Sequence, residues 1–169
     1  KAEVDFTKAI ELDSENDQNY YARGEFYSYD LEDYEKAITD FDKAIELNPS
    51  ASNIYERANN RYNLNNYELA ISDYLRALEL DVDEKVSKKQ YLLNGLAMSY
   101  KKLGNLDNAI IYLKKEIEIS PNYNLGYRNL GDIYVELREF DMARQIYKNL
   151  ISIDENKAQN YFFRALFFM

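Results

Sequence analysis

Apolar residues recur along most of this chain with the period of a helix. Ala37, Ile38, Phe41, Ala44 and Ile45 stand at offsets 0, 1, 4, 7 and 8, one stripe of a 3.6-residue helix. Ala70, Ile71, Tyr74, Ala77 and Leu78 repeat that stripe. A second kind of stripe runs large, small, large through Tyr20, Gly24 and Tyr27; Ile54, Ala58 and Tyr62; Leu93, Ala97 and Tyr100; and Tyr127, Gly131 and Tyr134. The small residue lets a neighbouring backbone come close, and the large ones fill the space beside it. The two stripes alternate, which predicts helix pairs at 17–29/33–47, 51–64/67–80, 88–103/106–119 and 124–137/140–153.

The ends of these helices are also written in the chain. Asp33, Asn66 and Asn105 precede second helices, where a short polar side chain caps the first free N–H groups. Gly104, and next to it in suitability Asn65, fit a left-handed helix end just before such a cap. Pro49 and Pro121 stop second helices from running on. The second helices share an echo: KAIELD from Lys8, KAIELN from Lys43, RALELD from Arg76, KEIEIS from Lys115 and NLISID from Asn149, at steps of 35, 33, 39 and 34 residues. A period near 34 marks a solenoid of helix pairs, each burying its apolar face against its neighbours.

Tyr20, Gly24, Tyr27, Ala37, Phe41, Ala44 and Pro49 match one round of the tetratricopeptide repeat pattern, with Arg23 in place of its Leu, and Leu130-Gly131-Asp132-Ile133-Tyr134 matches another. The chain thus resembles the tetratricopeptide repeat family along essentially its whole length. The resemblance implies an all-α fold, a right-handed superhelical α-solenoid of antiparallel helix pairs. The expected organisation is one array over 1–169: a half repeat at 1–16 (second helix only), repeats at 17–50, 51–84, 85–123 and 124–157, and a half repeat at 158–169 (first helix only).

Two departures stand out. The 39-residue step holds about five extra residues, Lys85-Val86-Ser87-Lys88-Lys89, with Val82 where Pro is expected. Ser87 and Gln90 form a capping box that lengthens the front of the next helix. Lys85, Lys88 and Lys89, with Lys101 and Lys102, make the one basic cluster of the sequence, either a docking point for an acidic partner or a solvated linker. Residues 161–169 are apolar at every position but Arg164, whereas a terminal repeat needs a polar outer face. The expectation is a piece of a longer array, or self-association through this C-terminal helix.

Composition narrows the function. With 21 basic and 30 acidic residues the net charge is −9, the wrong sign for a groove that neutralises nucleic-acid phosphates. There is no cysteine and no histidine, so thiolate metal sites and the commonest general base are excluded. No apolar run approaches the ~18 residues of a membrane span. Asp13-Glu15-Asp17 and Asp81-Val82-Asp83 resemble the opening of a calcium loop but lack its Gly and Glu, having Gln18 and Gly24, or Val86 and Leu92, at those places. Ser99 and Lys102 match a Ser-x-x-Lys nucleophile motif inside a repeat helix, without its partner motifs. The expectation is therefore no enzyme, no metal and no cofactor. The abundance of Asn and Tyr suggests A/T-rich codons and a bacterial source, and the expected place, which composition does not supply, is the cytoplasm.

The resemblance further implies that first helices line a concave groove that takes an extended peptide or a helix of a partner protein. The positions turned away from the second helices are read as Tyr21, Glu25, Tyr55, Asn59, Tyr62, Asn94, Met98, Arg128, Asn129 and Asp132, with Phe162 extending the row. Tyr and Arg are typical interface anchors, and Asn bonds peptide backbone. Some members clamp a chaperone C-terminal carboxylate with Lys and Asn. Here Tyr21 and Glu25, or Tyr55 and Asn59, hold the first of those places, and Gly95 and Leu125 the later ones, so the clamp is not assembled. The competing readings are a substrate-recruiting or regulatory arm of a larger enzyme or assembly and, against the charge, RNA binding.

Overall fold

The computed structural model describes residues 1–80 and 86–153 together with Tyr161 and Ala165, the side chains of 86–88 excepted. The chain divides into two compact units, Lys1–Lys85 and Val86–Met169. Every regular element among the described residues is helical. The first unit holds α1 (Ala2–Leu12), α2 (Asp17–Glu25) continued by a π-helical turn (Phe26–Asp30), α3 (Tyr34–Leu47), α4 (Ala51–Asn63) and α5 (Tyr67–Leu80). The second holds α6 (Val86–Lys102), α7 (Leu106–Ile119), α8 (Asn124–Glu136) and α9 (Phe140–Ile153). Each helix packs on the next in its unit.

The predicted stripes are the core. In the first unit Ala37, Phe41, Ala44, Ile54, Ala58, Ala70 and Ala77 are fully buried. In the second, Ala97, Ala109, Leu113, Ile133, Ala143 and Tyr147 are. The small position is set by close approach. A Cβ on Gly24 would lie 3.0 Å from the Phe41 ring, and one on Gly131 would lie 2.6 Å from Cζ of Tyr147. The second-helix aromatic occupies the space that a first-helix side chain would need.

One packing assignment needs correction. Tyr27, Tyr100 and Tyr134 stand three residues after their small residues, but Tyr62 stands four after Ala58. Arg61 occupies the equivalent place, and its Nη1 donates to Asp73 Oδ2 at 2.7 Å. Tyr62 is half-buried, with its ring edge-on to Tyr67 at 5.4 Å.

The caps follow the chain's punctuation. Asp33 accepts from Lys36 N–H, and Asn105 from Asn108 N–H. Asn65 and Gly104 adopt φ of 62° and 75° before their caps, and Glu32 and Arg138 take the same left-handed place at 53° and 60° without sequence warning. In three pairs the turn closes with a bond five residues back, as from Asn66 N–H to Arg61 O. In the first pair Asp33 N–H reaches six back, to Tyr27 O. Gly24 to Ala37 is one residue longer than Ala58 to Ala70, and the π-helical turn absorbs the extra residue. That is the source of the 35-residue step.

α6 begins at Val86, as a lengthened front requires, but Ser87 then lies inside the helix and not ahead of it as a cap. Lys85 and Val82 lie outside the described residues, as do residues 158–169 apart from Tyr161 and Ala165, both exposed. Lys101 faces Glu136 at 3.5 Å, so the basic cluster is partly neutralised within the second unit.

Candidate functional site on the first helices

In the first unit the predicted residues gather into one aromatic and acidic face. Tyr21, Glu25, Tyr55, Asn59 and Tyr62 are all half-buried on α2 and α4. Tyr21 stands edge-on to Phe41 at 5.7 Å. Tyr55 lies 6.1 Å from the Tyr74 ring. Two residues absent from the sequence reading complete the face. Tyr29, on the π-helical turn, is 64% exposed, yet its hydroxyl donates to Glu56 Oε2 at 2.7 Å. Glu56 is 8% exposed. The extra residue between Gly24 and Ala37 was the available signal for Tyr29. Burial first, then the charges of Glu56 and Glu25, hold the Tyr21 phenol well above its usual range. Burial and the bond to Glu56 do the same for Tyr29.

Asn59 is turned differently from the expectation. Its Oδ1 accepts from the Tyr74 hydroxyl on α5 at 2.7 Å. Asp132 in the second unit repeats this bond with Tyr147 on α9, also at 2.7 Å. Both positions follow the small residue of their first helix, and the tyrosine of the second helix draws them inward. Asn94 likewise donates to Glu116 Oε2 on α7 at 3.0 Å. Met98 packs against the second unit's core. Arg128 and Asn129 are half-buried on α8. Phe162 lies outside the described residues.

The arginines of α2 and α4 serve the scaffold. Arg23 donates from Nε and Nη2 to both oxygens of Asp40, at 2.8 and 2.7 Å. One repeat later Arg57 does the same to Asp73, at 2.9 and 2.6 Å, and reaches Asp42 at 2.6 Å with its third nitrogen. These forked pairs tie each first helix to its own second helix. The second unit has Leu96 and Tyr112, or Leu130 and Ile146, at those places. That exchange of a charged pair for an apolar one was legible, but only once the repeats are aligned on Gly24, Ala58, Ala97 and Gly131.

Another such exchange surrounds Glu116. In the first unit Asn19 and Asn53 donate to carbonyls ending the preceding second helix, Asn53 to Ala44 O and Asn48 O. In the second unit Glu116 stands where the echo has Ala44, and Gly126 where it has Asn53. A Cβ on Gly126 would lie 3.1 Å from the Glu116 carboxyl carbon. Glu116 is fully buried, and its Oε1 has no hydrogen-bond partner among the described residues. Among the described residues no group of three or more acidic side chains could hold a metal ion. No described helix is long and apolar enough to cross a membrane.

Stacked antiparallel helix pairs, locked by an aromatic of one helix against a small residue of the other, define a helical-repeat protein of the α-solenoid class. Residues 17–50, 51–83, 91–123 and 126–157 each match the family model of the tetratricopeptide repeat. The chain belongs to the tetratricopeptide repeat family. It is 25% identical over 158 residues to anaphase-promoting complex subunit 3 of Schizosaccharomyces pombe, a match covering 94% of this chain and 18% of that protein. It therefore spans under a fifth of that relative's length. The crystal structure of MamA superposes with a TM-score of 0.81 at 24% identity, over 91% of this chain and 87% of that one. YrrB, described as a TPR protein with an unusual peptide-binding site, gives 0.74 at 22% identity, over 96% and 81%. At these identities the structural likeness shows the fold alone.

Proposed function

We propose that this chain is a non-catalytic protein–protein interaction scaffold whose first helices receive a peptide or a helix of a partner protein. The observation that carries this reading is the set of half-buried tyrosines on α2 and α4 of the first unit and, taken by itself, the half-buried Arg128 and Asn129 on α8 of the second. Their buried parts are fixed by packing, which lowers the entropy lost when a partner orders them. The outer surface of the second helices is mixed, with Leu69, Ile111, Phe140 and Met142 exposed among charged residues. The match to part of an assembly subunit favours a second reading, in which the array is the recruiting arm of a larger protein or complex.

The groove reading is tested with peptides selected from a random library on the intact chain. Replacing Tyr55 and Arg128 by alanine is expected to weaken the selected peptides about tenfold or more, as for interface anchors, with the helical circular dichroism unchanged. Undiminished binding would remove these residues from the site. Asn59 is a poor choice for such a test, because its loss also strands the Tyr74 hydroxyl.

A further inference from the structure

The face on the first unit has a definite charge. α2, the π-helical turn and α4 carry Tyr21, Glu25, Tyr29, Tyr55 and Glu56, and the Tyr29–Glu56 bond joins the turn to α4. The cationic side chains of the same helices are directed away from it: Arg23 to Asp40, Arg57 to Asp73 and Asp42, Arg61 to Asp73. The charged groups that α2 and α4 contribute to the tyrosine face are thus both carboxylates. Tyrosine rings beside carboxylates offer a cation two favourable contacts at once, the ring's negative face and a salt bridge. An anionic segment would meet two like charges there, at a cost in both affinity and encounter rate.

We propose that Tyr21, Glu25, Tyr29, Tyr55 and Glu56 dock the Lys or Arg side chain of a basic peptide segment. This rests on the reading of the first helices as the partner-binding face and adds the chemistry of the partner. The π-helical turn is the device that makes this face differ from the other repeats. Its extra residue swings Tyr29 toward α4, where the hydroxyl holds Glu56 and the ring stays largely exposed. π-helical turns recur at functional sites for this kind of re-aiming.

The test uses the intact isotope-labelled chain and three short blocked peptides that alternate glycine with arginine, glutamine or glutamate. Only the arginine peptide is expected to move the amide signals of residues 21–29 and 55–59, with an affinity that falls as salt rises. Glu25→Gln with Glu56→Gln should weaken it about tenfold. Should the buried Glu56 variant fail to fold, Glu25→Lys alone, on the half-buried helix surface, is expected to abolish binding of the arginine peptide. Equal shifts with the glutamine or glutamate peptide would overturn the cation proposal while leaving the groove reading intact. Arginine-peptide shifts confined elsewhere, or no shift with any peptide, would also overturn it. The groove reading then stands or falls separately on the Tyr55 and Arg128 substitutions.

Discussion

Replacing Asp73 by alanine is expected to destabilise the first unit by about 3–5 kcal/mol, the scale for breaking a buried ion pair from one side. Asp73 is 3% exposed and accepts three hydrogen bonds, two from Arg57 and one from Arg61. Its removal takes away the carboxylate that Arg61 pairs with and leaves Arg57 with Asp42 alone, between helices where both guanidinium groups are largely buried. The complementary experiment is supplied by the chain itself. The last repeat carries Leu130, Tyr134 and Ile146 where this one carries Arg57, Arg61 and Asp73. The triple replacement Arg57→Leu, Arg61→Tyr and Asp73→Ile should therefore restore much of the loss, since well-packed apolar side chains often substitute for a buried ion pair without penalty. Urea unfolding with hydrogen exchange read on α4 and α5 measures both. A triple variant as unstable as the single one would mean that the forked pair is needed for more than filling the interface.

The second large effect is a pH dependence seated at Glu116. Burial pushes its carboxyl up to about 7, against a smaller downward pull from the Asn94 hydrogen bond. The folded state therefore holds a proton that the unfolded chain gives up near 4.5, the ordinary range of a glutamate. The associated stability is present below 4.5, is lost as pH rises toward 7, and does not change further above it. The full swing is of the order of 3 kcal/mol. Glu116→Gln should flatten this contribution, so that the variant gains on the parent by about 2 kcal/mol between pH 5 and pH 7 and levels off above it, less any cost of its unpaired amide. Melting curves of the two proteins across that range give the comparison. Because the remaining acidic residues are common to both, only the difference between the curves reports Glu116. Parallel curves would show that the site admits water and holds an ordinary carboxylate.

Both effects lie where one repeat departs from another, and there the sequence was hardest to read. The regular part was legible because one mechanism recurs: a small residue on the first helix under an aromatic or Leu of the second, at fixed helical spacing. The stripes that hold Gly24, Phe41 and Gly131 were read from spacing alone, whereas the pairing of Gly24 with Phe41 and of Gly131 with Tyr147 came from the structure. Tyr62 was misassigned because two large residues adjoin at 61 and 62, and spacing alone did not show that the arginine takes the tyrosine's place. Asn59 and Asp132 passed for surface residues because a lone polar side chain beside the packing stripe looks exposed. Only the tyrosine hydroxyls of α5 and α9 reveal that they face inward. Tyr29 was out of phase for the same kind of reason, since a helix that gains one residue in a π-helical turn shifts the face of everything near it.

The central claim, that the first helices and not the second receive the partner, is tested most directly by site-specific photo-crosslinking. A photoreactive residue is placed singly at Tyr55 or Asn129 on first helices, and at the exposed Ser72 or Glu118 on second helices. Each protein is irradiated with a library-selected peptide. Crosslinks at Tyr55 or Asn129, with none at Ser72 or Glu118, are the predicted result. Crosslinks concentrated at Ser72 or Glu118 would contradict it and move the binding face to the other side of the helix pairs.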